Sequence, residues 1–447
     1  MSDAKAIQDI SANTIAVHGR KQETNSLLNI RSLAKSHGIK ELRGKYKGCR
    51  AVVAGAGPSL DHCIPSLKAH WGEYILIAAD RALKPLLDAG LVPHLVCTAD
   101  MDKVLLSLFE GYEIPDSVGL VYDKDCYHGV PEMWKGPLLG YDHFYDVGIW
   151  QTTFLERMGF LCKNFTVSHT AFYTAATMGC DPIILAGVDF AYPSVQEHHA
   201  KGTVENDLEG AEKMIAHWVD IPGNVLPLVH TTEVFATCIP AINNAIEESL
   251  VRCINPSPIG AKIPLAEYKP IGEAITATGL SYAAFTPIGD YLSVTVPDFD
   301  LHAFGIQSRR VIERMDLTLL QATEALNVMV QLKKIDGLTN KLLFPKWQRM
   351  FLKAVKLRDL MFKDTFTQYM LQRCMLRCTI QIKKMLDPVR GLKELHPVRL
   401  DVDCKRHAVL FWSIGESCKL FISCLNQVRQ EFGLSMVETE WRVPVEV

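Results

Sequence analysis

The stretch AVVAGAGPSLDHC, Ala51–Cys63, decides how this chain is read. Four small or branched apolar residues, Ala51 to Ala54, run into Gly55 and Gly57, and Pro58, Ser59 and Asp61 follow. Proline suits a first helical turn, and serine or aspartate can cap one. A buried strand passing through a bare turn into a helix is the opening half of a βαβ unit. The same grammar recurs outward from it. Tyr74–Asp80 (YILIAAD), His94–Asp100 (HLVCTAD), Val118–Asp123 (VGLVYD), Asn164–His169 (NFTVSH) and Pro182–Asp189 (PIILAGVD) read as further strands. Leu60–Gly72, Arg81–Pro93 and Thr170–Cys180 between them read as helices, with Gly90 as a stop. The expected fold is α/β, a Rossmann-like and mostly parallel sheet.

The flanks differ from this centre. Leu27, Leu28, Ile30, Leu33 and Ile39 recur at helical spacing, so residues 1–48 read as an N-terminal helical arm. Residues 49–290 form the expected Rossmann-like domain. Residues 291–447 carry long helical periodicity, as in Ser308–Ile335, and read as a C-terminal helical bundle. Between Gln331 and Arg390 that region holds 14 basic against 4 acidic side chains, a net +10. Such a surface could attract an acidic partner or steer an anion, though a solvated helix face is the plainer reading.

Composition narrows the classes. The 447 residues carry a formal charge of −3, are 48% hydrophobic and 22% charged, and so argue for neither nucleic acid nor an anionic membrane as partner. The N-terminus lacks an apolar signal core, and no apolar run approaches the ~20 residues that span a bilayer. A cytoplasmic chain is expected. The 13 cysteines are scattered without a CxxC pair, which points to reduced thiols rather than disulfides or zinc.

In an open parallel sheet, ligands bind beyond the carboxyl ends of the strands, where the order reverses. Four expected strands end in Gly55-Ala56-Gly57, Asp80, Asp100 and Gly187-Val188-Asp189, so these residues should share one rim. The glycine turn could aim N–H groups at a phosphate. It lacks the third glycine of the dinucleotide fingerprint and the GK[ST] of a P-loop, so a plain strand-to-helix turn remains equally open. Asp100 and Asp102 form a DxD pattern able to hold a divalent cation on a diphosphate. The pattern recurs at Asp123/Asp125 and Asp298/Asp300, which makes it cheap. His230, after the apolar Asn224–Val229, could project from a strand end into the same crevice.

These motifs carry a resemblance. Ala51–Asp61 resembles the nucleotide loop of bacterial sialyltransferases that use CMP-sialic acid. Ala78–Asp100 looks like the central domain of the motility-associated-factor proteins, which glycosylate flagellin. Val167–Gly202 and His230–Ile263 continue both likenesses, which together cover roughly Thr24 to Ala284. The same sheet domain is similar to an archaeal, MptE-like pterin diphosphokinase group.

The resemblance implies a glycosyltransferase moving a nonulosonic, sialic-acid-like sugar, such as pseudaminic or legionaminic acid, from CMP to serine or threonine hydroxyls of flagellin. Inversion in one step is implied, with no cofactor beyond the CMP-sugar; magnesium enters only if the DxD pattern is used. Gly55, Ala56, Gly57, Pro58, Ser59 and Leu60 would hold the donor phosphate. Ser168, His169 and Thr170 would face the cytidine or the donor carboxylate. Asp80 and Asp100 fall on family asparagines, which puts negative charge beside an anionic donor unless they accept from hydroxyls or bind a cation. His230 falls on the general base, and with Asp100 and Asp189 makes the implied catalytic set. The family's phosphate-binding tyrosine falls on Ala191, one residue before Tyr192, and His198 and His199 stand near a second missing tyrosine. Tyr192, His199 and Lys201 are candidates to stabilise the leaving phosphate. Partners are then flagellin and the CMP-sugar, without nucleic acid or membrane. The alternative reading is the pterin diphosphokinase, in which Asp80, Asp100 and Asp102 would hold magnesium and ATP.

Overall fold

A computed structural model describes residues 17–142, 146–161, 166–194, 199–204, 218–276, 279–292, 299–335, 343–389, 391 and 397–439. They fall in two compact units. One contains the described residues of Ser32–His143 and Glu156–Asp298, the other those of Gln8–Arg31, Phe144–Leu155 and Phe299–Val447. The N-terminal segment is therefore divided, with the described residues 17–31 in the helical unit and 32–48 in the sheet unit.

The sheet unit contains strands β1 His37–Gly38, β2 Ala51–Ala54, β3 Ile75–Ala79, β4 Leu95–Thr98, β5 Gly119–Asp123, β6 Leu138–Tyr141 and β7 Ile183–Ala186. Strands β8 Trp218–Pro222, β9 Leu228–Thr232, β10 Cys253–Asn255 and β11 Ala266–Tyr268 follow. Nine of them form one parallel sheet in the order β1-β6-β5-β4-β3-β2-β7-β10-β11. The chain starts its central run at β2, builds β3 to β6 away on one side, then returns to lay β7 on the other. Ala51 to Ala54 lie in register with Ile183 to Ala186, so the reversal point sits between these two strands.

Every residue of β2, β3, β4, β5 and β7 is buried, which is why those segments are apolar runs without alternation. Side chains such as Val52, Ile75, Ile77 and Leu95 are completely covered, each worth about 1.5–3 kcal/mol relative to exposure. Helices α1 Ser59–Ala69, α2 Leu83–Asp88, α3 Val167–Met178 and α4 Glu233–Ser249 join the strands.

Three local expectations fail. Val167–His169 is the first turn of α3 and not a strand, and the helix buries His169 together with Ala171, Phe172 and Ala175; Asn164 and Phe165 lie outside the described residues. His230 stands within β9 and not after a strand; β9 pairs antiparallel with β8 in a separate ribbon. Strands β1, β6, β8, β10 and β11 were not expected.

The helical unit contains α5 Leu301–Lys334, α6 Phe344–Lys363, α7 Thr365–Leu386 and α8 Pro397–Glu431. Asp300 caps α5 by accepting from the Ala303 N–H at 2.8 Å, and Asp364 caps α7 through the Thr367 N–H at 3.0 Å. Arg373 and Glu23 form a buried ion pair at 3.3 Å. Contrary to the reading of the sequence, one stretch, Arg399–Glu431, is long and apolar enough to cross a membrane, with half of its apolar window buried within the structure.

Candidate functional site

The ends of β2 and β7 meet backbone to backbone. The Gly55 N–H donates to the Ala186 carbonyl and the Gly57 N–H to the Gly187 carbonyl, both at 2.8 Å. A methyl on Gly57 would sit 2.7 Å from the Gly187 oxygen and against the Asp189 carboxylate. Gly187 adopts φ +69°, a conformation that favours glycine. The next amide is taken as well. Ser59 donates its N–H to Asp189 Oδ2 at 2.9 Å and its hydroxyl to Oδ1.

Asp189 thus sets a buried carboxyl at the start of α1. Burial raises its carboxyl above the ordinary range, opposed by hydrogen bonds from Ser257 and Ser59. Gly55, Gly57 and Ser59 were expected to cradle a phosphate, yet their N–H groups are already committed within the protein. The glycines serve close approach of two strand ends. A further segment is stitched over the turn: Ala200 N–H donates to the Ala56 carbonyl at 2.8 Å, and the Lys201 N–H to Asp61 at 3.2 Å.

At this reversal point lies a cleft of about 280 Å³. Ala56, Gly57, Asp80, Asp100 and Ser168 line it, as do Asp189, Tyr192 and His199. These eight came from separate stretches of sequence and converge as the strand-end argument requires. Seven other candidates do not line it: Gly55, Pro58, Ser59, Leu60, His169, Thr170 and His230. Leu60 is buried behind the turn. His169 and Thr170 face the core of the unit. The His169 ring donates from Nε2 to the Cys238 carbonyl at 3.2 Å and accepts at Nδ1 from Thr166 Oγ1 at 2.8 Å. Burial pushes its pKa down to about 4, so it is a neutral structural imidazole. His198 lies outside the described residues.

Two carboxylates flank the cleft in different states. Asp80 is buried and accepts from the Arg81 N–H at 2.8 Å and from Thr98 Oγ1 at 3.0 Å. Burial raises its pKa to about 6; these hydrogen bonds and the Arg81 charge oppose the rise, and Asp100 adds to it. Asp100 is exposed, and its Oδ1 accepts from the Asp102 N–H at 3.1 Å. The DxD pattern therefore closes on itself as a local turn. Among the described residues, no three His, Cys, Asp or Glu side chains gather as metal ligands.

His230 stands on the outer face of the β8–β9 ribbon. Its neighbours Val229 and Thr231 are buried, while its own side chain is 54% exposed. Nδ1 lies 2.6 Å from Asp220 Oδ1, and the Trp218 ring stacks on the imidazole at 5.4 Å. The ribbon touches the cleft through Tyr192, whose N–H donates to the His230 carbonyl at 2.9 Å. The Tyr192 ring stacks between Trp218, at 6.3 Å, and Phe235, at 5.5 Å. The imidazole is one ring removed from the cleft wall.

Sequence reasoning missed Arg81, Thr166 and Phe235, all of which line the cleft. Arg81 follows Asp80 directly, so extending the strand-end rule by one residue would have found it. Phe235 is in the first turn of α4 and carried no local signal.

Together these features define an α/β protein of Rossmann-like fold with a ligand-sized cleft at its topological reversal. The likeness read from the sequence is present in two comparisons. Residues 24–195 match a family model described as 6-hydroxymethylpterin diphosphokinase MptE-like. The chain is similar in fold to the MAf glycosyltransferase from Magnetospirillum magneticum AMB-1, with a TM-score of 0.52 and 14% identity. That likeness covers 93% of this chain and 60% of the other, so the chain spans about 60% of the glycosyltransferase's length. No curated protein matches it in sequence.

Proposed function

We propose that the chain is a glycosyltransferase that moves a nonulosonic sugar from a CMP donor to serine or threonine hydroxyls of flagellin, with inversion. The observation that carries this reading is the cleft between the ends of β2 and β7, where Asp80, Asp100 and Ser168 converge in a fold shared with a glycosyltransferase. In it, Asp80 and Asp100 accept hydrogen bonds from ribose or sugar hydroxyls, which removes the conflict between two acids and an anionic donor. His230 is the base. Its side chain faces away from the cleft, so the acceptor hydroxyl must approach across the β8–β9 ribbon beyond Tyr192; Asp220 holds Nδ1 and leaves Nε2 to take the acceptor proton, and such a base is worth roughly 10² to 10⁴ in rate. Asp189 acts as a positioning residue through its grip on Ser59. The basic stretch of the helical unit is the surface offered to flagellin, and the reaction is cytoplasmic.

The match of residues 24–195 favours a second reading, the pterin diphosphokinase using ATP and magnesium. Thermal-shift measurements with CMP, CDP and ATP, each with and without magnesium, separate the two. Stabilisation by CMP without magnesium is expected; a strict requirement for ATP and magnesium would overturn the transferase. His230→Ala should bind CMP as the parent does and lose transfer to flagellin by at least ~10²-fold. Undiminished transfer would remove His230 as base.

A further inference from the structure

The cleft raises a question of charge. Three carboxylates line it, from Asp80, Asp100 and Asp189, and of the turn expected to hold an anion the Gly55, Gly57 and Ser59 amides are taken by Ala186, Gly187 and Asp189, which leaves only the Ala56 N–H at the cleft. A phosphate entering such a space needs a donor set elsewhere. Among the described residues lining the cleft, Arg81 is the one arginine or lysine. Its backbone is fixed because its N–H is held by the Asp80 carboxylate, at 2.8 Å. Among the described residues its guanidinium makes one long hydrogen bond, 3.4 Å from Nη1 to the Val204 carbonyl, and no ion pair with a carboxylate. Thr166, Val167 and Ser168 line the same cleft at the start of the twelve-residue α3. No side chain caps that helix, because the Thr166 hydroxyl is turned to His169.

We infer that Arg81 is the anion-binding residue of the cleft and fixes its ligand class as a nucleoside monophosphate ester. The nucleotide part of this inference rests on the transferase reading above; the anion site itself does not. A guanidinium binds two phosphate oxygens through parallel charge-assisted hydrogen bonds, which a lysine cannot reproduce. One such cation matches the single negative charge of a phosphodiester, and the Ser168 hydroxyl can donate to a third oxygen. Asp80 and Asp100 are then left to the hydroxyls of the nucleoside and sugar. The glycine turn acts as a wall and not as a cradle.

The test uses the full chain and three probes: CMP, cytidine and inorganic pyrophosphate, titrated by calorimetry. In the parent protein CMP should bind at least tenfold more tightly than cytidine. Arg81→Gln should weaken CMP by about tenfold or more, leave cytidine unchanged, and abolish competition by pyrophosphate. Arg81→Lys should fall between the two, and unchanged thermal midpoints show that both variants fold. Should Arg81→Gln keep the preference of CMP over cytidine, the inference is wrong while the transferase reading stands. If the parent binds pyrophosphate through Arg81 but neither CMP nor cytidine, the anion site holds and the transferase reading fails. Binding of none of the three probes overturns both.

Discussion

Replacing Asp80 with asparagine isolates the cost of a buried carboxylate at the cleft wall. The side chain is nearly fully covered and its pKa is raised from 3.8 to about 6. A carboxyl whose folded pKa is raised binds its proton more tightly in the folded state. The resulting stability is complete below the unfolded pKa and is lost as pH rises through about 6. Two pKa units correspond to roughly 3 kcal/mol. Asparagine keeps an oxygen for the Arg81 N–H, and its amide can donate to Thr98 Oγ1 in place of accepting from it. Asp80→Asn should therefore be more stable than the parent by roughly 1.5 kcal/mol at pH 5 and roughly 3 kcal/mol at pH 8, the two converging below pH 4. Urea unfolding followed by tryptophan fluorescence at both pH values measures the difference. A constant difference between pH 5 and 8, or a variant less stable than the parent at pH 8, would refute the buried, ionising Asp80.

Two further outcomes follow from packing. Gly57→Ala drives a methyl into the Gly187 carbonyl and the Asp189 carboxylate, and should lower unfolding stability by about 1–3 kcal/mol in chemical denaturation. Glu23→Ala breaks the buried ion pair with Arg373, and should cost about 3–5 kcal/mol in the unfolding of the helical unit.

Much of the sheet is legible because its central strands are buried on both faces. Ala51–Ala54, Ile75–Ala79, Leu95–Thr98 and Ile183–Ala186 stand out as short apolar runs closed by glycine or aspartate. The sheet's outer strands β1, β6, β10 and β11 exist through pairing with distant neighbours and stand out less as apolar runs. Val167–Met178 was misread at its start because branched and aromatic residues favour either state, and only contact with the sheet decides.

The site divides along the same line. That Gly57, Asp80, Asp100 and Asp189 share a rim follows from strand ends alone. What their amides and carboxylates touch does not. Asp189 reaching Ser59 joins residues 130 positions apart, and it turns an expected phosphate loop into a structural lock. His230 was read as pointing into the crevice because it follows an apolar run, whereas pairing in the ribbon turns its side chain outward.

The most direct measurement is a crystal structure of the full chain grown with CMP. The nucleotide should occupy the cleft between Ala56 and Ser168, its phosphate on Arg81 and its ribose on Asp80 or Asp100. Density for CMP at any other place, with that cleft holding only solvent, would contradict the assignment of the β2–β7 reversal as the donor site.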